Sequence, residues 1–217
     1  MPLGSQQQRQ FHARKAPRQT RSRSTVDAIK QAARELVSAE GFSSSSTSTT
    51  LIAERAGVSI GSLYQYFPTR EAIFIALFEE TSAQMAATMK RVMVRILDQP
   101  LDKSVPEVMR HLLALHREHE LVLLRMVAQV PQLKLATQPI SFENMIFDSI
   151  RIAVGQWTPG LSLRELNRRA FFLREIILGC IHRYINEAPE DISDRTFIDD
   201  LSAIVMHYIG MPAKRRR

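Results

Sequence analysis

The chain has 217 residues, 45% of them hydrophobic and 24% charged, which is enough apolar material for a folded core and too much for a disordered chain. No uncharged apolar run nears the roughly 20 residues of a membrane span, and the polar, basic N-terminus lacks the apolar segment of a secretion signal. A single cysteine, Cys180, excludes an intramolecular disulfide and a cysteine-rich zinc site, so a cytoplasmic protein is expected.

The net charge of +7 is unevenly placed. Residues 1–25 carry six basic side chains (Arg9, Arg14, Lys15, Arg18, Arg21, Arg23) and no acid, and residues 210–217 add Lys214, Arg215, Arg216 and Arg217. The stretch between them holds 19 basic and 22 acidic residues. A faintly acidic body with two basic ends suits a polyanionic partner, because each phosphate neutralised releases counterions.

Prolines divide the chain into segments whose apolar residues recur at three- and four-residue steps. No Asn-Gly or Asp-Gly hairpin turn and no sustained alternation interrupts them, so the pattern predicts an all-α fold. Ser24 and Asp27 have nearly the spacing of a capping box ahead of the stripe Ile29, Ala33, Leu36 and Val37, with Gly41 after the helix end. A serine patch, 43–46, precedes a short helix from Thr49 or Thr50 to Ala56. A second runs from Ser59 to Phe67, where Pro68 stops it. Thr69 then caps a long helix that ends near Pro100 and joins a small N-terminal domain to a larger one. Further helices are expected at 104–118, 119–130, 141–157, 162–187 and 193–209, with capping boxes at Ser104-Val105-Pro106-Glu107 and Ser162-Leu163-Arg164-Glu165.

The segment Ile52-Ala53-Glu54-Arg55-Ala56-Gly57-Val58-Ser59-Ile60-Gly61-Ser62-Leu63 has helix-turn-helix spacing. Ala53 is small where two helices cross, and Gly57 can take the positive φ of a tight turn. Val58 fills the gap between helices, Ser59 caps the second helix, and Leu63 anchors it. With Leu63 inward, Ile60, Gly61, Ser62, Tyr64 and Tyr66 face outward. That surface is small, uncharged and hydroxyl-bearing, as a major-groove helix requires. On spacing alone, an ordinary helical hairpin remains the alternative.

The stretch from Thr49 through Leu63-Tyr64-Gln65-Tyr66-Phe67-Pro68-Thr69-Arg70 to Ile73 resembles the DNA-binding domain of the TetR family of bacterial transcriptional regulators, over about residues 24–84. The Leu-Tyr-x-Tyr-Phe run makes the likeness specific. The resemblance implies an N-terminal three-helix helix-turn-helix domain (24–84) after a basic arm (1–23). A larger helical domain for effector binding and dimerisation (85–211) and a basic tail (212–217) would follow. It implies a homodimeric repressor, released from a palindromic double-stranded DNA operator by a small-molecule effector. By the family pattern, Thr49 and Thr50 contact phosphate or a base edge, Ile60, Gly61 and Ser62 lie at base-reading positions, and Tyr64 and Tyr66 bridge to phosphates or bases; the cap Ser59 is counted among the DNA-binding residues. Arg70 takes the place of a phosphate-binding lysine and can grip phosphate with two hydrogen bonds. Arg18, Arg21 and Arg23 are candidate phosphate or minor-groove contacts.

In the C-terminal part, Leu163, Leu166, Ala170, Leu173, Ile177, Cys180 and Tyr184 are spaced as a continuous helical seam, and Phe171, Leu178, Ile181 and Ile185 lie off it. A helix apolar on two sides sits between two partners, one its own domain and the other a second subunit. The expected dimer interface is Leu166, Ala170, Leu173, Ile177, Cys180 and Tyr184, with Leu201, Ile204 and Tyr208 of the last helix. Met109, Met126, Phe147 and Trp157 are candidates for an adaptable effector pocket. His111, His116 and His119 suggest a metal, but on one straight helix His111 points about 140° away from His116, so the three cannot converge. No metal, cofactor or membrane contact is expected. No phosphate loop, dinucleotide fingerprint or nucleophile motif is present, which argues against an enzyme. A non-specific DNA-coating protein and an activator remain open as alternatives.

Overall fold

The structure, a computed structural model, describes residues 20–40, 46–96, 98–126, 141–187 and 189–210. Among them are eight α-helices and one π-helical turn, Leu121–Met126, with no strand. Backbone proximity divides the chain into two units: residues 1–82 with 119–138, and residues 83–118 with 139–217.

The first unit begins with α1 (Thr20–Glu40), whose face Ile29, Ala32, Ala33, Leu36 and Val37 is buried. α2 (Thr49–Arg55) packs on α1, and α3 (Ile60–Tyr66) packs on α2. α4 (Arg70–Ile96) has 27 residues and is about 40 Å long, so it runs past the boundary between the units. Its first turns are apolar all round, with Ala72 to Ile75, Leu77 and Phe78 buried. Beyond them the stripe narrows to Met85, Met89, Val92 and Ile96, one helical face. Lys30 of α1 reaches Asp27 at 3.0 Å and Glu80 of α4 at 3.2 Å.

Two expected starts are corrected. α1 opens at Thr20, so Ser24 is inside a helix rather than capping one, and Asp27 pairs with Lys30 instead of closing a capping box. Arg21 and Arg23 therefore belong to α1; Arg18, Gly41 and the residues of 127–140 lie outside the described residues. In the second unit, α5 (Leu101–Glu118) starts three residues before Ser104. The N–H groups of Lys103 and Ser104 both bond the Pro100 carbonyl at 3.0 Å, so the helix nucleates there. Pro106 falls inside it and leaves the carbonyl of exposed Asp102 to water.

The rest of the second unit is α6 (Ser141–Trp157), α7 (Leu163–Glu187) and α8 (Asp194–Gly210). α7 packs on α6, α8 and α5, and α8 on α5. Ser162 and Ser193 cap α7 and α8 through hydroxyls that accept from Glu165 and Thr196 N–H groups at 3.3 and 3.1 Å. Tyr184 stacks on Phe197 (4.1 Å, 6°), and its hydroxyl donates to the Ile192 carbonyl and Asp194. Asp194 also receives both guanidinium nitrogens of Arg117, a hydrogen bond that holds its carboxyl below the usual range.

The seam of α7 faces its own unit. Ala170, Leu173, Ile177 and Tyr184 are buried there, as is Leu201 of α8, so these five cannot meet a second subunit and the expected interface is corrected. Ile181, read as off the seam, is buried with them. The large apolar side chains left outward on these two helices are Leu163 (62% exposed), Phe171 and Phe172 of α7, the last two about half exposed, and Ile204 of α8 at 50%. Cys180, Leu166 and Tyr208 are half-buried; burial pushes the Cys180 thiol up, which lowers its thiolate fraction.

Candidate nucleic-acid interface

The helix-turn-helix is built by local chemistry. Ser48 caps α2, its hydroxyl accepting from the Leu51 N–H at 3.3 Å. After Arg55 the chain reverses over Ala56-Gly57-Val58, where Gly57 takes φ +67°. The N–H groups of Gly57 and Val58 bond the Glu54 and Ala53 carbonyls, both at 3.0 Å, satisfying the helix end. Ser59 caps α3, its Oγ accepting the Ser62 N–H at 3.0 Å. Ile52, Ala53, Leu63 and Phe67 are buried and lock the two helices together. Arg55 of α2 bonds Glu35 of α1 at 3.1 Å; bonds from Gln31 and Arg55 hold the Glu35 carboxyl below its ordinary range.

With Leu63 inward, α3 presents Ile60 (41% exposed), Gly61, Tyr64 (43%) and Gln65 to solvent. Thr49 Oγ1 and Tyr64 Oη are 3.0 Å apart, which ties the start of α2 to the outer face of α3. Thr50 is exposed beside Thr49. The Ser59 and Ser62 hydroxyls are 2.8 Å apart and bonded to each other, so both serve the cap first. Tyr66 is half-buried. Arg70, at the start of α4, bonds Glu71 at 3.3 Å and the buried Thr47 hydroxyl at 3.4 Å; the following turn is capped by Thr69, which accepts from Ala72 at 3.2 Å.

Sequence reasoning missed Gln65. It lies two residues, about 200°, from Leu63, so it is centred on the face opposite the anchor, beside Gly61. The signal was available in the helical wheel and was passed over as the unspecified position of Leu-Tyr-x-Tyr-Phe. A side-chain amide there matters, because glutamine pairs with adenine N6 and N7 through two hydrogen bonds.

The second unit holds a partly open cavity of about 120 Å³ between α4, α5, α6, α7 and α8. Of the four pocket candidates only Met109 lines it. Met126 is buried in the π-helical turn, which groups with the first unit; Phe147 lies beneath Arg174 (5.8 Å to the ring centre); and Trp157 is 51% exposed. The histidines turn inward to structural tasks. His111 and His116 each bring Nδ1 within 2.8 Å of the carbonyl four residues earlier, and His116 packs on Phe142 and His182.

A glycine turn, a capped short helix and an uncharged outward face form a helix-turn-helix, a motif whose second helix suits a major groove. Residues 29–77 match the family model described as bacterial regulatory proteins, tetR family. No curated protein matches this chain. Among solved structures, a protein assigned to the tetR-family transcriptional regulators of Mesorhizobium loti MAFF303099 aligns with a TM-score of 0.66 at 20% identity, over 88% of this chain and 98% of its own. A tetR-family transcriptional regulator from Streptomyces coelicolor aligns at 0.56 and 18% identity, over 86% and 98%. The fatty acid degradation regulator FadR from Bacillus halodurans aligns at 0.54 and 16%, over 93% and 100%. At these identities the likeness establishes the fold. The N-terminal segment 29–77 is thus similar to the DNA-binding domain of the tetR-family regulators, and the chain as a whole shares the fold of the solved structures.

Proposed function

We propose that this chain is a transcriptional regulator of the tetR family, a homodimeric, ligand-responsive repressor that reads a palindromic operator and is released from it by a small molecule. It acts in the cytoplasm and carries out no chemistry of its own. The observation that carries the reading is the outer face of α3, where Ile60, Gly61, Tyr64 and Gln65 stand exposed on a helix without a charged side chain. Such a face gains little from phosphate attraction alone and suits base edges, with Ile60 against a thymine methyl and Gln65 against adenine. Thr49, Thr50, Tyr64 and Arg70 border it as phosphate contacts, and Arg23 is a further candidate cation in the first turns of α1.

Dimerisation is supported by Phe171, Phe172 and Ile204, large apolar side chains left outward on α7 and α8. Half-site geometry requires two recognition helices. The cavity supports ligand response. A neighbour in fold is named as a fatty acid degradation regulator, and an apolar cavity is consistent with an acyl-like effector for this chain too.

The test is selection of bound duplexes from a random DNA pool by the full chain at about 150 mM salt. A palindromic consensus with half-site centres near one helical turn, or a multiple of it, is expected. Equal recovery of all sequences would leave a non-specific binder and overturn the reading.

A further inference from the structure

The cavity of the second unit is lined by sixteen residues, all of them described, and only Ser104 and Ser149 among them are polar. The walls are Met93 of α4, Val108 of α5, Ile150 of α6, Leu173 of α7 and others of the same kind, with no charged side chain. Ser104 is 9% exposed and lines the cavity. A helical serine commonly bonds back to the carbonyl four residues earlier, but that of Pro100 already accepts the Ser104 and Lys103 N–H groups. Ser104 thus brings one of the two hydroxyls of an otherwise apolar lining to the cavity, where it can bond an oxygen of a bound molecule.

The nearest buried cation, Arg169 at 3% exposure, is committed to Glu165 (3.5 Å) and to the carbonyl of the lining residue Ile209 (3.3 Å). A carboxylate entering the cavity would lose its hydration without gaining a counter-charge, and an ammonium would fare no better. Size sets a second limit. An engineered apolar cavity of about 150 Å³ in another protein holds benzene, so about 120 Å³ suits roughly six heavy atoms.

We propose that this cavity binds a small, uncharged, mainly hydrocarbon ligand with a single hydrogen-bonding oxygen, such as a short alcohol, ketone or acyl group in neutral form, and that Ser104 fixes that oxygen. The inference rests on the reading of the chain as a ligand-responsive regulator and narrows its effector to neutral compounds. The ionised head of a fatty acid is excluded from the cavity itself.

The experiment uses the full chain without DNA and reads dissociation constants by ligand-observed NMR, with melting temperature as a second readout. The probes at pH 7.5 are 1-hexanol, 2-hexanone, cyclohexane, hexanoate and hexylammonium. Hexanol and hexanone are expected to bind at least about tenfold tighter than hexanoate and hexylammonium. Ser104→Ala is expected to weaken hexanol about five- to tenfold and to leave cyclohexane unchanged. Ala153→Leu, which fills the cavity, removes all binding; if it fails to fold, the Ser104→Ala contrast between hexanol and cyclohexane still decides. Hexanoate binding as tightly as hexanol, equal loss of cyclohexane in Ser104→Ala, or no binding by any neutral probe overturns the proposal. Hexanol bound at the cavity without effect on DNA affinity would overturn the ligand-responsive reading and leave the site. Release from DNA by a charged compound that hexanol cannot displace would do the reverse.

Discussion

Two glycines four residues apart should respond to the same substitution with opposite signs. Gly57 sits at φ +67°, where an L-residue is disfavoured by about 1–2 kcal/mol, and a Cβ built there meets nothing within 4 Å. Gly57→Ala therefore carries a backbone penalty and no clash. Alanine also restricts the unfolded chain, which returns about 0.4–1 kcal/mol. The net expectation is a loss of about 1 kcal/mol, or about 2–4 °C in Tm for a chain of this size. Gly57→Asn should lose less, because asparagine tolerates the left-handed region.

Gly61 lies inside α3, and its Cβ would meet only the Ser59 Oγ, at 3.9 Å. Gly61→Ala should thus raise stability by about 0.5–1 kcal/mol, the helical difference between the two residues. The added methyl stands on the outward face, so the same variant should bind the selected duplex at least about tenfold more weakly by fluorescence anisotropy. Thermal melts followed by circular dichroism supply the other half. Shifts of the same sign at both positions would refute the backbone argument, and unchanged DNA affinity in Gly61→Ala would remove this face from the interface.

Gln65→Ala should abolish the preference for adenine at one position of each half-site in the selected consensus while the other positions persist; an unchanged consensus removes Gln65 from base reading. Burial holds the His182 imidazole below its ordinary 6.5. Its neutral form is the folded one, so stability is full above pH 6.5 and declines as pH falls below it; His182→Asn should flatten the fall in Tm between pH 7 and 5, and an equally steep fall would clear His182 of the effect. Phe171→Glu should shift the chain from dimer to monomer in sedimentation velocity with little change in Tm, because Phe171 is 47% exposed; a persistent dimer would move the interface elsewhere. Arg70→Gln should reduce the slope of log K against log salt by about 0.9 if Arg70 neutralises one phosphate, and an unaltered slope would confine Arg70 to its bonds with Thr47 and Glu71.

What was legible in the sequence was what is decided locally. Gly57, Ser59, Leu63 and Thr69 each act within one turn of themselves, so residue type and spacing fixed their roles before any coordinates. The starts of α1 and α5 were misplaced for a related reason: Ser24 and Ser104 have capping chemistry, but a helix begins where the first carbonyl finds a partner, and for α5 that carbonyl belongs to Pro100. The interface seam failed on a different ground. Periodicity reports that a helix has an apolar side; it does not report whose atoms cover it. Ala170, Leu173 and Ile177 looked like a dimer stripe because they are a continuous stripe, and α5, α6 and α8 fill it from within the same unit. Met126 and Trp157 likewise had the right chemistry for a pocket, while the cavity formed where α4 to α8 leave a gap.

The uncharged recognition helix has a consequence for how affinity and specificity divide. On the proposed reading α3 has no ion to offer a phosphate, so counterion release falls to cations elsewhere, with Arg70, Arg23 and the basic residues near the two ends of the sequence as the candidates. That part of the binding energy is the same for every sequence and falls steeply with salt. The part that the proposed reading gives to Ile60, Gly61 and Gln65 depends on the base pair and is nearly salt-independent. Rising salt should therefore weaken every duplex by the same factor and leave the ratio of affinities between two duplexes nearly unchanged. The physical division is also a genetic one. Substitutions on α3 change which duplex is chosen, whereas substitutions among the terminal cations change how tightly every duplex is held.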